Sequence, residues 1–347
     1  MVSFFRQNKF ILFLSVCLLG LFGLSRLIEP KSEETGLTIY SYSSFSASWG
    51  AGPLIKKMFE EHCRCKVNLR DADDSRLLIH RLKLEGVREG ADVVIGLNHW
   101  DVDEAVDNLN FKPFNWDRAL LRDDELLPNE LDKRGLVPFD WGLLTFNTRK
   151  NSVLASARNL DQILNLASNK SIALQDPRTS APGLTFLFWL VQTLGEDQAF
   201  AFLDQFRSKI FSFSPGWSSS YGLFQKGDAK GVFSYISSPL YHEIEEKDFN
   251  YVALPLEEGL PVHIEYAGVL STCRQCERAR EFINFILTPR IQEILMSKNY
   301  MLPVNKAVEP KGSWNILGNY KITSPKKFSP SEKQRILERW SRWVRGQ

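Results

Sequence analysis

The sequence predicts an α/β protein of two lobes, each a mixed β-sheet flanked by helices, with a ligand cleft between the lobes. Two separate runs along the chain alternate strand-like and helix-like patterns, which is typical of open α/β sheets. The chain has 347 residues, of which 44% are hydrophobic and 24% charged. A chain of this length and composition is expected to form about two globular domains.

The first run of elements shows where a ligand is expected. Its predicted strands are apolar stretches bounded by turn residues, and they cover residues 37–42, 66–69 and 91–96. Gly50 and Gly52 predict a turn, and Pro53 marks an expected first helical position. A second helix is predicted over 77–84. Ligands of open sheets bind beyond the carboxyl ends of the strands, so we expect contacts in the segments that follow these strands.

The second run repeats the pattern and suggests the lobe boundaries. Its predicted strands cover residues 171–174, 210–213, 232–235 and 262–269, and its predicted helices 184–194, 196–206, 277–287 and 289–297. The strand over 262–269 is expected to return the chain to the first lobe. We therefore expect lobe 1 to comprise residues 37–140 with 264–315, lobe 2 residues 141–263, and a C-terminal helical segment residues 316–347.

The N-terminal segment predicts export. Arg6 and Lys9 precede an apolar run over residues 10–24, which is typical of a signal peptide; an uncleaved anchor is the alternative. A lipoprotein site at Cys17 is disfavoured, because bulky Val16 precedes it. Residues 1–30 carry the whole formal net charge of +2. The neutral remainder disfavours nucleic-acid binding.

The other four cysteines fit an oxidising compartment. They form a Cys-x-Cys pair and a Cys-x-x-Cys pair, at Cys63, Cys65, Cys273 and Cys276. An even number favours two disulfides, for which three connectivities are open. Free thiols and a four-thiolate zinc site are the alternatives.

No common catalytic motif occurs in the chain. The nucleophile elbow, the zinc-protease helix, the P-loop and the dinucleotide fingerprint are all absent. No two of the five histidines have metal-ligand spacing, so we expect them to be structural. The sequence therefore favours a binding protein without a cofactor over an enzyme.

Three loops after predicted strands carry the candidate ligand contacts. Ser180 precedes a long apolar helix as an N-cap would, and the free N–H groups of that helix start would suit a phosphate. Trp217 follows a glycine at another helix start. Tyr235 and Tyr241 flank a serine turn. Trp217 facing a tyrosine would hold a flat cationic ring, and an acid among residues 71–74 would meet its charge.

Five longer segments carry a resemblance to a known family. They are residues 48–53 (SWGAGP), 137–142 (VPFDWG), 175–183 (QDPRTSAPG), 216–224 (GWSSSYGLF) and 234–242 (SYISSPLYH). In this order they resemble the periplasmic thiamine-binding proteins of thiamine ABC importers. The resemblance implies a type II periplasmic binding fold. It also implies a monomeric, non-catalytic periplasmic protein that delivers thiamine, or a phosphorylated thiamine, to a membrane permease.

The resemblance also implies a set of ligand contacts. By position they fall on Asp74, Ser75, Ser180, Ala181, Trp217, Tyr235, Ile236, Ser237 and Ser238. It places Tyr241 opposite Trp217 across the ligand and Tyr300 at the cleft mouth. Three positions depart from the family pattern, at Ser43, Ser75 and Ala181.

Two alternatives stay open at this point. The same fold could bind another small solute, such as ferric iron, a polyamine or a phosphonate. A thiaminase-like enzyme would share the general fold but would need a free cysteine nucleophile.

Overall fold

The described part of the molecule is a mixed α/β fold, as predicted. The computed structural model describes residues 36–86, 88, 90–122 and 134–346. The strands are β1 (Leu37–Tyr42), β2 (Val67–Ala72), β3 (Val93–Asn98), β4 (Leu136–Arg149), β5 (Ile172–Gln175), β6 (Ile210–Ser214), β7 (Gly231–Tyr235), β8 (Tyr251–Ala253), β9 (Leu260–Val269), β10 (Leu302–Pro303) and β11 (Ile322–Thr323). The helices are α1 (Ser43–Ser46), α2 (Ala51–Cys63), α3 (Ser75–Arg81), α4 (Val102–Leu109), α5 (Leu160–Leu166), α6 (Ala181–Leu194), α7 (Glu196–Phe206), α8 (Trp217–Lys226), α9 (Ser238–Tyr241), α10 (Cys276–Ile286), α11 (Pro289–Ile294) and α12 (Pro330–Val344).

Two long strands join the halves of the sheet. The strand order is β2-β1-β3-β9-β4-β7-β5-β6. Strand β4 pairs with β9 over residues 136–143 and with β7 over residues 144–148. The β2-β1-β3 edge and the β5-β6 edge therefore lie on opposite sides of the β9-β4 pair. Both edges are parallel, so the loops that follow their strands can converge on one cavity.

The buried helices fit their apolar sequences. Helix α6 is apolar all round and is buried from Ala181 to Val191, as expected for a helix packed on several sides. Helix α12 is amphipathic instead. It starts at a Ser329–Glu332 capping box and buries Trp340 and Trp343, whose rings pack edge-on against Phe213.

Several predicted boundaries are shifted by a few residues: the strand predicted over 91–96 is Val93–Asn98, and the helix predicted over 184–194 begins at Ala181. The start of α2 is also wrong. Helix α2 begins at Ala51, with Gly50 as its N-cap, and not at Pro53. Pro53 is the third helical residue. A proline is tolerated there because the N–H groups of the first turn have no acceptor within the helix.

Each cysteine pair forms a disulfide between neighbours in the sequence. Disulfides join Cys63 to Cys65 and Cys273 to Cys276. This settles the open connectivity and removes the zinc alternative for these four thiols. The predicted signal peptide or anchor in residues 1–30, with Cys17, lies outside the described residues. Among the residues that the structure describes, no helix is long and apolar enough to cross a membrane.

Candidate functional site

A cavity of about 220 Å³ lies between the two sides of the sheet. One side contributes Asp74 and Ser75, which follow β2. The other side contributes Ala181 and Trp217, at the starts of α6 and α8. The cavity therefore lies where the sequence predicted a cleft, beyond the carboxyl ends of strands from both sides.

Trp217 forms a rigid platform in this cavity. Its indole is half-buried, and its Nε1–H donates to the Ser234 hydroxyl at 2.9 Å. The Tyr221 ring stacks against it at 5.0 Å between centroids, with 15° between the planes. The Tyr221 hydroxyl in turn bonds Nε2 of the buried His242 at 2.8 Å. Because one indole face rests on Tyr221, the opposite face is the one available for a flat ligand.

Tyrosines and serines form the wall around this platform. Tyr235, Ser237, Ser238, Tyr241 and Tyr300 all line the cavity, as predicted. The Tyr241 and Tyr300 rings meet edge-to-face at 5.6 Å, and the Ser237 hydroxyl donates to the Tyr300 carbonyl at 2.6 Å. No ring contact of the described residues joins Trp217 to Tyr241. The facing pair across a ligand therefore stays a prediction.

The Tyr300 backbone is unusual. Its φ of +55° lies in the left-handed region, which a non-glycine residue adopts rarely. The ring stacks on Trp314 at 5.6 Å between centroids. Tyr300 therefore ends the turn that follows α11, and its ring contacts those of Trp314 and Tyr241.

Asp74 joins the two sides of the cavity. Its carboxylate accepts the Ala181 N–H at 2.9 Å, the Ser180 hydroxyl at 3.0 Å and the Trp217 N–H at 3.2 Å. It also caps α3 by accepting from the Arg76 N–H. Burial raises the pKa of Asp74, and these hydrogen bonds offset part of that rise. One side chain thus occupies the starts of three helices.

Two predicted contacts are not on the cavity wall. Ser180 is fully buried, and its hydroxyl is engaged by Asp74. The helix start that was expected to be free for a phosphate thus already holds a carboxylate of the chain. Ile236 lies in the hydrophobic core, and its N–H bonds the Leu143 carbonyl at 2.9 Å. Contacts of these two residues with a ligand remain predictions.

Comparisons with known proteins agree with this architecture. The family described as "Bacterial extracellular solute-binding protein" matches residues 137–300. The thiamine-binding periplasmic protein of Escherichia coli K12 is 35% identical over 320 residues, which are 91% of this chain and 94% of that protein. The thiamine-binding periplasmic protein of Brucella melitensis is 34% identical, covering 86% of this chain and 87% of that one.

A solved structure extends the likeness to three dimensions. A periplasmic thiamin binding protein superposes with a TM-score of 0.78 at 34% identity, covering 89% of this chain and 96% of that chain. The chain belongs to the family of thiamine-binding periplasmic proteins. The predicted type II periplasmic binding fold is thereby confirmed.

In this member of the thiamine-binding family, several residues of the cavity wall were not predicted from the sequence. Tyr42, Trp49, His263 and Glu265 all line the cavity. Trp49 follows β1 and is 55% exposed. Its position beyond a strand end was a usable signal. His263 was expected to be structural, yet it lies in the wall. The signal for it and for Glu265 was the presence of polar residues in the otherwise apolar strand β9.

Proposed function

We propose that this chain binds thiamine outside the cytoplasmic membrane and delivers it to the permease of an ABC importer. The observation that carries the proposal is the Trp217 indole, which lines the cavity and is supported on one face by Tyr221. Thiamine has a flat cationic thiazolium ring. An aromatic face in a desolvated site attracts such a cation by about 0.5–2 kcal/mol.

The charges of the cavity wall support a cationic ligand. Asp73, Asp74 and Glu265 line the cavity, whereas Lys298 is the one lysine or arginine among its described lining residues. The Lys298 ammonium lies 3.4 Å from the Glu245 carboxylate, so its charge is partly compensated. Thiamine carries a positive charge and therefore matches the excess of acidic residues in the wall. Phosphorylated thiamine is a further proposed ligand, and its phosphate would need Lys298 and the serine hydroxyls of the wall.

The remaining organisation is proposed on the same grounds. We place lobe 1 in residues 37–140 with 264–315, lobe 2 in residues 141–263, and a C-terminal segment in residues 316–347. The chain acts as a periplasmic monomer, without nucleic acid and without a cofactor. Residues Asp74, Ser75, Ala181, Trp217, Tyr235, Ser237, Ser238, Tyr241 and Tyr300 are the proposed ligand contacts, with Ser180 and Ile236 behind them.

Binding without turnover is the proposed mode of action. A thiaminase-like reaction would need a free thiolate, and each cysteine that the structure describes is in a disulfide. Thiol titration of the folded protein should find none of these four sulfurs reactive. Thiamine incubated with the protein should be recovered intact; cleaved thiamine would favour the enzyme instead.

Isothermal titration calorimetry tests the ligand assignment. The exported protein, unfolded and refolded to remove bound solutes, should bind thiamine at a single site. Ferric citrate, spermidine and a phosphonate serve as the competing solutes. Saturable heat with thiamine alone is the expected result. Saturable heat with one of the other three, and none with thiamine, would contradict the proposal.

A further inference from the structure

Two carboxylic acids face each other in the middle of the sheet. Asp140 of β4 and Glu265 of β9 are direct partners in the antiparallel register. Asp140 is 0% exposed and Glu265 is 4% exposed. Like charges placed directly opposite each other destabilise a sheet, and buried charges need partners. Because this arrangement destabilises the sheet, we infer that the two acids have a function other than packing.

The protein stabilises this pair with neutral donors. The Tyr42 hydroxyl donates to Glu265 Oε2 at 2.6 Å, and Asn299 Nδ2 donates to Asp140 Oδ2 at 3.0 Å and to the Tyr42 hydroxyl at 2.9 Å. Among the described residues, no lysine or arginine forms an ion pair with either acid. In the described ranges, no permanently charged side chain therefore compensates the pair, although buried carboxylates usually have such a partner.

The surroundings of Asp140 favour its neutral form. Burial, followed by the nearby Glu265 charge, raises the pKa of Asp140 well above its ordinary value. The raised pKa favours the protonated form of Asp140. Of the two acids, Glu265 is the one that lines the cavity. Glu265 is therefore the acid of this pair that a bound ligand can contact.

His263 gives an independent sign of a ligand at the same place. It is 0% exposed and lines the cavity, and its Nδ1 bonds the Thr185 hydroxyl at 3.2 Å. Its Nε2 makes no hydrogen bond and lies 3.5 Å from Glu265 Oε1. A buried ring nitrogen without a partner indicates that a bound group completes the site.

We propose that Glu265, with His263 beside it, recognises the aminopyrimidine ring of the ligand by accepting a hydrogen bond from its exocyclic amino group. This inference rests on the proposed function and assigns the second ring of thiamine, since Trp217 accounts for the cationic one. A planar ring with an amino N–H and adjacent ring nitrogens supplies both a donor for the carboxylate and a partner for the imidazole. Hydrogen bonds to a buried carboxylate discriminate strongly between donors and acceptors.

Titration of two ligands into three proteins tests the assignment. Oxythiamine has an oxo group in place of the amino group and a ring N–H in place of a ring nitrogen acceptor. The wild type should bind thiamine at least ~10-fold more tightly than oxythiamine, because an oxo group cannot donate to Glu265. In Glu265→Gln that ratio should fall to within about threefold, since an amide can donate as well as accept. Glu257→Gln, an exposed acid in the turn before β9, should keep the wild-type ratio.

The outcomes distinguish failure of the proposed function from failure of the Glu265 assignment. A wild type that binds neither compound contradicts the proposed function itself. A wild type that binds both equally, or a Glu265→Gln protein that keeps the wild-type preference, overturns the Glu265 assignment and leaves thiamine binding standing. If Glu265→Gln does not fold, as judged by circular dichroism, a wild type that binds both compounds equally still overturns the assignment.

Discussion

At the scale of single residues, the site depends on Trp217, whose ring is held in one orientation by its neighbours. Trp217 is neither a core residue nor a free surface residue, because Tyr221 supports one face and Ser234 orients the ring edge. Tyr221 is itself fixed by the His242 imidazole. Such preorganisation lowers the conformational entropy lost when a ligand stacks.

Removing the platform should weaken thiamine binding. We expect Trp217→Ala to lower the affinity by ~10-fold or more, because the cation–π and stacking contacts are lost. Trp217→Phe is the matched control and should retain part of the affinity, since it keeps an aromatic face. Calorimetry measures both. An alanine variant that binds like the wild type would rule out stacking on Trp217.

The buried acid pair predicts a pH-dependent stability. The folded-state pKa of Asp140 is raised, so between about pH 4 and that pKa the folded protein holds a proton that the unfolded chain has released. The free energy of unfolding should therefore fall with rising pH by up to about 1.4 kcal/mol per pH unit from this group.

Asp140→Asn removes that dependence, because the amide mimics the protonated acid. Guanidinium unfolding at several pH values should find the variant gaining stability relative to the wild type as the pH rises from 4 to 7. A difference between the two proteins that stays constant over this range would show that Asp140 does not carry the proton.

At the scale of elements, helix starts organise the cavity. Helices α3, α6 and α8 begin around one carboxylate, that of Asp74. A carboxylate is stabilised at a helix N-terminus by free N–H groups and by the helix dipole. This contact links the two sides of the cavity.

Loss of that carboxylate should destabilise the fold. We expect Asp74→Ala to lower the free energy of unfolding by about 1–3 kcal/mol, because it leaves buried N–H groups without an acceptor. Asp73→Ala, at the exposed neighbouring residue, should cost much less. Denaturant unfolding of the two variants makes the comparison, and equal losses would refute the role of Asp74.

The C-terminal helix is held by its tryptophans. Trp340 is fully buried and packs against Phe213. We expect Trp340→Ala to cost about 3–5 kcal/mol of unfolding free energy. Gln334→Ala, on the exposed face of α12, should have little effect. Thermal unfolding measures both, and a stable Trp340→Ala protein would mean that α12 is not part of the cooperative core.

At the scale of the whole molecule, local patterns predicted the elements and the aromatic loops. Strand β1 and helix α7 have the bounds that the sequence indicated, because their periodicity and flanking residues are complete in themselves. Contacts between polar side chains that are far apart in the sequence could not be predicted from such local patterns. Asp74 and Ser180 are 106 positions apart, and nothing near Ser180 indicates that its helix start is occupied. Likewise Asp140 and Glu265 meet only through the register of two long strands.

A crystal structure of the protein with thiamine is the most direct test of the central claim. We expect the thiazolium ring to lie about 4 Å from the face of Trp217 that is turned away from Tyr221. A ligand bound elsewhere, or one that leaves this indole face uncovered, would contradict it.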